Sequence, residues 1–300
     1  MAAVGVALIV NPFSSGVRRD LVEDVERMLR YYVGDLNIRF TEARDHATEL
    51  AREAAARGDT VVVFAGDGTY NEAINGAAGK ATYAFIPGGG TSVLPRALGL
   101  PRDPILAAER IGEAIRAGGT RTISLGRANG RLFSFAAGVG FDADVVRRFD
   151  RRGRREDGRR AANSAFVAAA LGAFAGNGLH LGASMEIEGH GRAAFVLVAN
   201  GAPYTYAGSL RFRLARESRF EDGLAWVAPR SVSALSAGTL VYRAFRGTAT
   251  SARGVLSGVD DDRVVVRCDS PQPFQVDGED LGDVTEVEFL AERAALTVVS

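Results

Sequence analysis

Along the first 120 residues, short apolar runs alternate with longer amphipathic stretches. Ala3–Val10, Leu36–Thr41, Thr60–Ala65 and Thr82–Ile86 are too short and too β-branched for helices and read as strands. Between them, Arg18–Val33 places Leu21, Val25, Met28 and Tyr32 on one face, and Asp45–Arg57 repeats the helical period. Strand and helix in alternation predict a doubly wound parallel sheet. From residue 121 the pattern changes. Arg121–Arg127, Arg131–Ala137, Leu181–Glu188, Ala193–Asn200, Leu224–Ala228, Arg263–Cys268, Phe274–Val276 and Val284–Leu290 are strand-like and separated by turn residues. That half is expected to be an antiparallel β-sandwich. Val145–Gly176 reads as helical, and Ala295–Val299 as a last strand that belongs to either half. The expected domains are therefore 1–120, α/β, and 121–300, β-rich.

Ligands of doubly wound sheets bind at the carboxyl ends of the strands. Three small-residue loops fall there: NPFSSG at 11–16, GDGT at 66–69 and PGGGTS at 87–92. Glycine at 66 and 68, after a strand and before a helix, lets an anion approach backbone N–H groups, and phosphate is the usual anion. Asp67 would repel phosphate directly, so Mg²⁺ or a hydroxyl must mediate. Thr69-Tyr70-Asn71-Glu72 also fits a capping box, with Thr69 capping the helix and Glu72 reaching back. No Walker A pattern occurs. Gly138-Val139-Gly140-Phe141-Asp142-Ala143 matches a loose dinucleotide pattern, but the β-rich setting and the arginines and alanines that follow argue against that use.

Composition narrows the classes. The 36 basic and 36 acidic residues balance, and Lys80 is the only lysine, so nothing overall points to nucleic acid. One cysteine, Cys268, excludes an intramolecular disulfide, and three scattered histidines disfavour a histidine metal cluster. The first residues read as a buried strand and not as a signal peptide. Ala165–Ala175 is far short of the roughly 20 residues a spanning helix needs. A cytoplasmic protein is expected.

Taken together, GDGT with Asn71 and Glu72, PGGGTSVLPRALGLP at 87–101, NPFSSG, GVGFDA at 138–143, EDGL at 221–224 and VDGE at 276–279 resemble the diacylglycerol and sphingosine kinases. They occur in that family's order over almost the whole chain, and the bacterial soluble diacylglycerol-kinase-like proteins are the most similar branch. GDGT alone is shared with NAD kinases and phosphofructokinases; GDGT with a late VDGE is far more specific. The resemblance implies an NAD kinase-like α/β domain, ATP and Mg²⁺ as cofactors, and phosphoryl transfer to a lipid hydroxyl, most simply from ATP to diacylglycerol. It implies nucleotide contacts at Asn11, Thr41, Gly66, Asp67, Gly68, Thr69, Asn71, Glu72, Thr91 and Ser92. Asp67 would manage the nucleotide's Mg²⁺, and Glu279 would accept the proton of the attacking hydroxyl. Asp222, with the carbonyls of Arg219 and Leu224, would hold a structural Mg²⁺. Arg18, Arg19 and Arg96 are further candidates to neutralise phosphate.

The sequence departs from the family where Asn and often Asp are usual: Ser92 and Val93 stand there, and Pro95 replaces an alanine. Arg147–Arg160 holds eight arginines against three acids beside an apolar segment, which suits reversible contact with an anionic membrane. The expected partners are thus a membrane lipid and the inner membrane face, with no nucleic acid; a homodimer is compatible. Two rival functions stand beside lipid kinase: an NAD kinase-type small-molecule kinase, and a catalytically weak nucleotide- and lipid-binding protein.

Overall fold

The computed structural model describes residues 5–153, 172, 174, 176, 178–201 and 203–300. Its contacts divide the chain into two compact units, one reaching to Ile123 and including Ala294–Ser300, the other Ser124–Arg293.

In the first unit, β1 (Val6–Val10), β2 (Asn37–Phe40), β3 (Thr60–Ala65) and β4 (Thr82–Pro87) pair in parallel in the order β4-β3-β1-β2. The connecting helices are α1 (Arg19–Val33), α2 (His46–Ala56), α3 (Asp67–Ala77), α4 (Val93–Ala97) and α5 (Pro104–Ala117). Every residue of β1 and β3 is buried because helices cover both faces, which is why these strands lack polar alternation. On one face Leu8, Val10, Val62, Phe64 and Ile86 meet Val25 and Leu29 of α1 and Ile111 of α5. Full burial of such a side chain contributes roughly 1.5–3 kcal/mol. On the other face α2 and α3 pack together, the Tyr83 hydroxyl donates to the Ala73 carbonyl at 2.9 Å, and the Tyr70 ring meets Phe85 at 5.2 Å.

Helix α5 goes beyond the periodic segments read from the sequence, yet its ends carry strong signals. Asp103 accepts from the Ile105 and Leu106 N–H groups at 2.9 and 3.0 Å, Pro104 opens the helix, and Gly118 closes it at φ 71°.

The second unit is antiparallel and β-rich. It contains most of β5 (Thr120–Ala128), then β6 (Arg131–Phe133), β7 (Ala136–Val139), α6 (Phe141–Gly153), β8 (His180–Leu181), β9 (Met185–Ile187), β10 (Gly191–Ala193) and β11 (Val196–Asn200). After these come β12 (Thr205–Ala207), β13 (Leu210–Phe212), β14 (Leu224–Pro229), β15 (Val232–Ser233), α7 (Ala234–Arg246), β16 (Val255–Asp261), β17 (Arg263–Val276) and β18 (Glu279–Val299). The main ladder runs β16-β14-β11-β7-β17-β18. The two segments read as Arg263–Cys268 and Phe274–Val276 are one strand, irregular between Arg267 and Gln272; its first part pairs β9 and its second part β7. The segment read as Arg131–Ala137 breaks instead at Ser134 and Phe135, whose N–H groups donate to the Asp277 carboxylate. Strand β18 ends in the first unit, where Thr297 and Val298 pair in parallel with Thr82 and Tyr83.

Of the expected helix at Val145–Gly176, α6 supplies the beginning, four residues earlier than read. Most of the remainder lies outside the described residues. No helix among the described residues is long and apolar enough to cross a membrane.

Candidate functional site

Because β1 to β4 are parallel, the loops that follow them emerge from one edge of the sheet. The backbone ties these loops together closely. Gly16 N–H donates to the Gly88 carbonyl at 2.8 Å, Gly88 N–H to Ala65 at 2.7 Å, and Gly66 N–H to the Ser14 hydroxyl at 3.2 Å. A Cβ on Gly89 would lie 2.8 Å from the Gly66 Cα, so the two loops approach this closely only because position 89 lacks a side chain. The buried Tyr70 hydroxyl braces the same strand ends, within 2.6 Å of the Ala65 carbonyl and 2.7 Å of the Ile86 carbonyl.

Asn11, Asp67, Thr69 and Ser92 are brought together here. The Asn11 amide donates to the Thr69 hydroxyl at 2.8 Å, and the Asn11 Oδ1 takes the Phe13 N–H at 2.9 Å. Asp67 is the first residue of α3, only 6% exposed, and accepts the Leu94 N–H at 3.3 Å. Gly66 is the α3 N-cap without a side-chain cap, so the capping-box reading of Thr69 and Glu72 is overturned. Thr69 lies inside the first turn, where the Asn11 amide engages its hydroxyl. Glu72 takes backbone hydrogen bonds from Asp45 and Ala47 at the start of α2; burial pushes its carboxyl above its ordinary value, and those bonds oppose the shift. Space around Gly68 is open, with no atom within 4 Å of a Cβ placed there.

The Ser92 hydroxyl both accepts from the Gly89 N–H and donates to the Gly89 carbonyl, each at 3.1 Å, and holds this residue at φ 46°. Val93 is buried. Thr41 is buried and its N–H donates to Val10 at 2.9 Å; the Thr91 carbonyl takes an Arg96 N–H at 3.2 Å. Asn71 is 2% exposed and accepts from the Asn75 amide. Arg18 and Arg19 stand exposed at the start of α1 in pairs with Asp20 and Glu23, as surface helix charges commonly do.

In the second unit, VDGE forms the two-residue turn between β17 and β18. Val276 pairs with Glu279, and Asp277 and Gly278 adopt φ 48° and 78°. Asp277 does more than turn the chain. One of its buried oxygens takes the Ser134 N–H and hydroxyl at 2.8 and 2.9 Å; the other takes the Phe135 and Ala136 N–H groups at 3.0 and 3.1 Å. Glu279 is partly exposed and paired with Arg131 at 2.9 Å. The next residue, Asp280, holds Arg147 through two bonds of 2.8 and 2.9 Å, and Asp283 holds it at 2.7 Å. These carboxylates raise the Arg147 guanidinium further above its already high value.

Behind this turn lies a polar group that residue patterns did not single out. Gln275 donates to Asp142 at 2.7 Å and to the Tyr204 hydroxyl at 3.0 Å, while its Oε1 accepts the Gly278 N–H at 2.9 Å. Tyr204 donates to the same Asp142 oxygen at 2.7 Å. Burial pushes the Asp142 carboxyl up, against the opposing hydrogen bonds, and pushes the Tyr204 hydroxyl well up, with the Asp142 charge adding to the shift. The GVGFDA motif carried the available signal. A Cβ on Gly138 would sit 2.7 Å from the Asp142 carboxylate, so its first glycine makes room for this group and not for a dinucleotide.

Asp222 closes its own turn by accepting the Arg219 N–H at 2.9 Å, while the Arg219 carbonyl takes the Asp222 N–H at 3.2 Å. Leu224 is fully buried in β14. Among the described residues no cluster of three or more His, Cys, Asp or Glu is placed to hold a metal. Of the basic segment at 147–160, Arg147 is engaged as above and Arg148 pairs with Asp144 at 2.8 Å; the stretch from 154 onward lies outside the described residues.

Residues 5–128 match the diacylglycerol kinase catalytic domain. Diacylglycerol kinase of Bacillus subtilis (strain 168) is 40% identical over 104 residues, covering 33% of each chain. Diacylglycerol kinase of Staphylococcus saprophyticus is 38% identical over 98 residues, covering 31% of each. The matches thus span about a third of these curated relatives' length. A crystal structure of a diacylglycerol kinase from Bacillus anthracis str. Sterne superposes at a TM-score of 0.71 with 20% identity, over 100% of this chain and 97% of that one. That likeness extends the fold over both units. The resemblance read from the motifs is borne out.

Proposed function

We propose that this chain, whose residues 5–128 match the catalytic domain of diacylglycerol kinases, is an ATP-dependent lipid kinase that converts diacylglycerol to phosphatidic acid. The observation that carries the proposal is the cradle at the parallel strand ends. Gly66 and Gly89 are in backbone contact, Gly68 borders open space, and Asp67 begins an eleven-residue helix there. The start of a helix presents backbone N–H groups and carries its positive end, so the cradle suits a polyphosphate. A carboxylate at that place suits a phosphate only with a cation between them. ATP with Mg²⁺, when bound, supplies the phosphoryl group and neutralises its charge.

The residues divide the remaining work. Gly66, Gly68 and the 88–92 loop bind through backbone, and Asn11, Thr69 and Thr91 orient through polar side chains. Asp67, held by Leu94, positions the cation. Thr41, Asn71, Glu72 and Ser92 support the loops, and Ser92 braces Gly89 in place of direct nucleotide contact. Glu279 takes the proton of the lipid hydroxyl as it attacks, and Arg131 orients its carboxylate. Asp222 with the carbonyls of Arg219 and Leu224 is the proposed second cation position. The protein meets its lipid at the inner membrane face.

The test is transfer of labelled phosphate from ATP to diacylglycerol in mixed micelles, with NAD as competing acceptor. Label should enter phosphatidic acid, and Asp67→Asn, which keeps an acceptor for the Leu94 N–H, should abolish it while the melting curve stays close to wild type. Label in NAD alone would assign the small-molecule kinase. ATP binding without transfer to any lipid would assign a binding protein.

A further inference from the structure

Helix α7 lies across the β12–β13 hairpin with most of its surface outward. Its sequence, ALSAGTLVYRAFR, has no acidic residue, and Leu235, Val241, Tyr242 and Phe245 are exposed on it. Leu235 is 92% exposed and Tyr242 65%. Leu235, Tyr242 and Phe245 stand at i, i+7 and i+10, within one arc of about 80° on a helix. The Phe245 ring meets Phe212 of β13 edge-on at 5.6 Å, and Leu210, two residues before Phe212 on the same strand face, is 62% exposed. The apolar surface therefore runs from the helix onto the hairpin. Single exposed apolar residues need no explanation, but a contiguous group of this kind marks an interaction surface.

Charge identifies the occupant. Residues 204–216 and 230–248 carry three arginines each and no acid, in a chain whose charges balance overall. Arg216 and Arg246 are exposed, and among the described residues neither has a carboxylate partner, unlike Arg18, Arg19, Arg192, Arg263 and Arg293. Arg216 sits against the α7 C-cap, its Cα 3.2 Å from a Cβ placed on Gly247. An apolar stripe rimmed by unpaired arginines suits an anionic bilayer: the rings and Leu enter the acyl boundary while the guanidiniums stay with the headgroups. A second copy of this chain fits poorly, since a two-fold pairing of the patch sets the same cationic rims against each other.

We propose that α7 and the β12–β13 hairpin form a membrane-docking face that binds anionic phospholipid surfaces. Binding by this face depends on its own apolar and cationic residues and not on kinase activity.

The experiment measures co-sedimentation of the full chain with vesicles of phosphatidylglycerol and with vesicles of phosphatidylcholine. Wild type should prefer phosphatidylglycerol and lose that preference as salt rises. Arg216→Gln with Arg246→Gln should lower the partition coefficient roughly thirtyfold. Leu235→Asn and Tyr242→Asn should lower it about tenfold or more each. All four side chains lie on the surface, and unchanged Trp226 fluorescence verifies that the variants fold. Wild type that ignores phosphatidylglycerol, or variants that bind as wild type does, would overturn the proposal. So would a wild-type dimer in sedimentation velocity that Leu235→Asn dissociates while vesicle binding persists.

Discussion

Asp277 offers the most quantitative test of how the VDGE turn is built. Four donors converge on its two carboxylate oxygens, three of them backbone N–H groups. Asp277→Asn keeps the size and tolerates the φ of 48°, because asparagine visits the left-handed region readily. The best amide placement keeps its oxygen toward Phe135 and Ala136. The NH₂ then faces Ser134, whose hydroxyl can rotate to accept but whose N–H cannot. One buried N–H left unpaired costs about 1–3 kcal/mol, and two bonds weakened from charged to neutral lose roughly 0.5–1 kcal/mol each. The sum is about 3 kcal/mol.

Trp226 makes the measurement specific, being the only tryptophan, fully buried in β14 of the second unit. Its fluorescence during urea unfolding reports that unit. With a slope of about 2 kcal/mol/M, the midpoint should fall by roughly 1.5 M. Ser134→Ala, which removes the hydroxyl donor alone, should cost only about 1 kcal/mol. If Asp277→Asn moves the midpoint by less than about 0.5 M, the four bonds carry no such weight and the turn is held by backbone pairing alone.

Three shorter expectations accompany it. Glu279→Gln should lower turnover roughly 10²-fold or more with ATP affinity in calorimetry unchanged; normal turnover would remove Glu279 as the base. Gly89→Ala should force the 66 and 89 loops apart, cost roughly 1–3 kcal/mol in thermal unfolding and weaken ATP binding, whereas wild-type affinity would mean the loops adapt freely. Asp142, with its carboxyl raised by burial, contributes stability that is full below the unfolded carboxylate value and is lost as pH rises through the folded one. Asp142→Asn keeps an acceptor for Tyr204 and Gln275 and should flatten that pH dependence in Trp226-monitored unfolding; an identical slope in the variant would assign it to other groups.

The first unit was legible because its signals are local. Buried parallel strands announce themselves as apolar runs, and β3 begins and ends where the run at Thr60–Ala65 does. Helix α1 runs where its period places it and ends at Gly34, which adopts φ 77°. Its face is turned slightly: Val22, Val25 and Leu29 are buried, and Leu21 and Met28 of the expected stripe only partly so. The β-rich unit was less legible because its boundaries depend on distant partners. Nothing near Ser134 in the sequence says that its N–H belongs to Asp277, yet that bond ends β6 and separates it from β7. In the same way, the residues between Cys268 and Phe274 look like a loop, while pairing with β18 carries the strand through them.

The motifs also hide a division of labour that only the partners reveal. In VDGE, Asp277 has its lone pairs taken by the β6–β7 loop, Gly278 supplies a positive φ, and the Gly278 N–H is held by Gln275. Three groups therefore fix the turn, and none of them has a carboxylate to offer a substrate. Glu279 follows the turn on β18, partly exposed, with Arg131 on the neighbouring hairpin as its partner. The same logic separates Ser92 from Asp67. Ser92 closes a bond pair onto Gly89 and so shapes the loop, whereas Asp67 opens a helix beside bare glycine backbone. A carboxylate fixed at the positive end of a helix, bordered by space that no side chain fills, is the arrangement a cation-bridged phosphate requires. Replacing Ser92 should thus act through loop geometry, and Ser92→Ala should lower ATP affinity without altering its dependence on Mg²⁺ concentration. A changed Mg²⁺ dependence in calorimetry would instead place Ser92 on the cation and undo this separation.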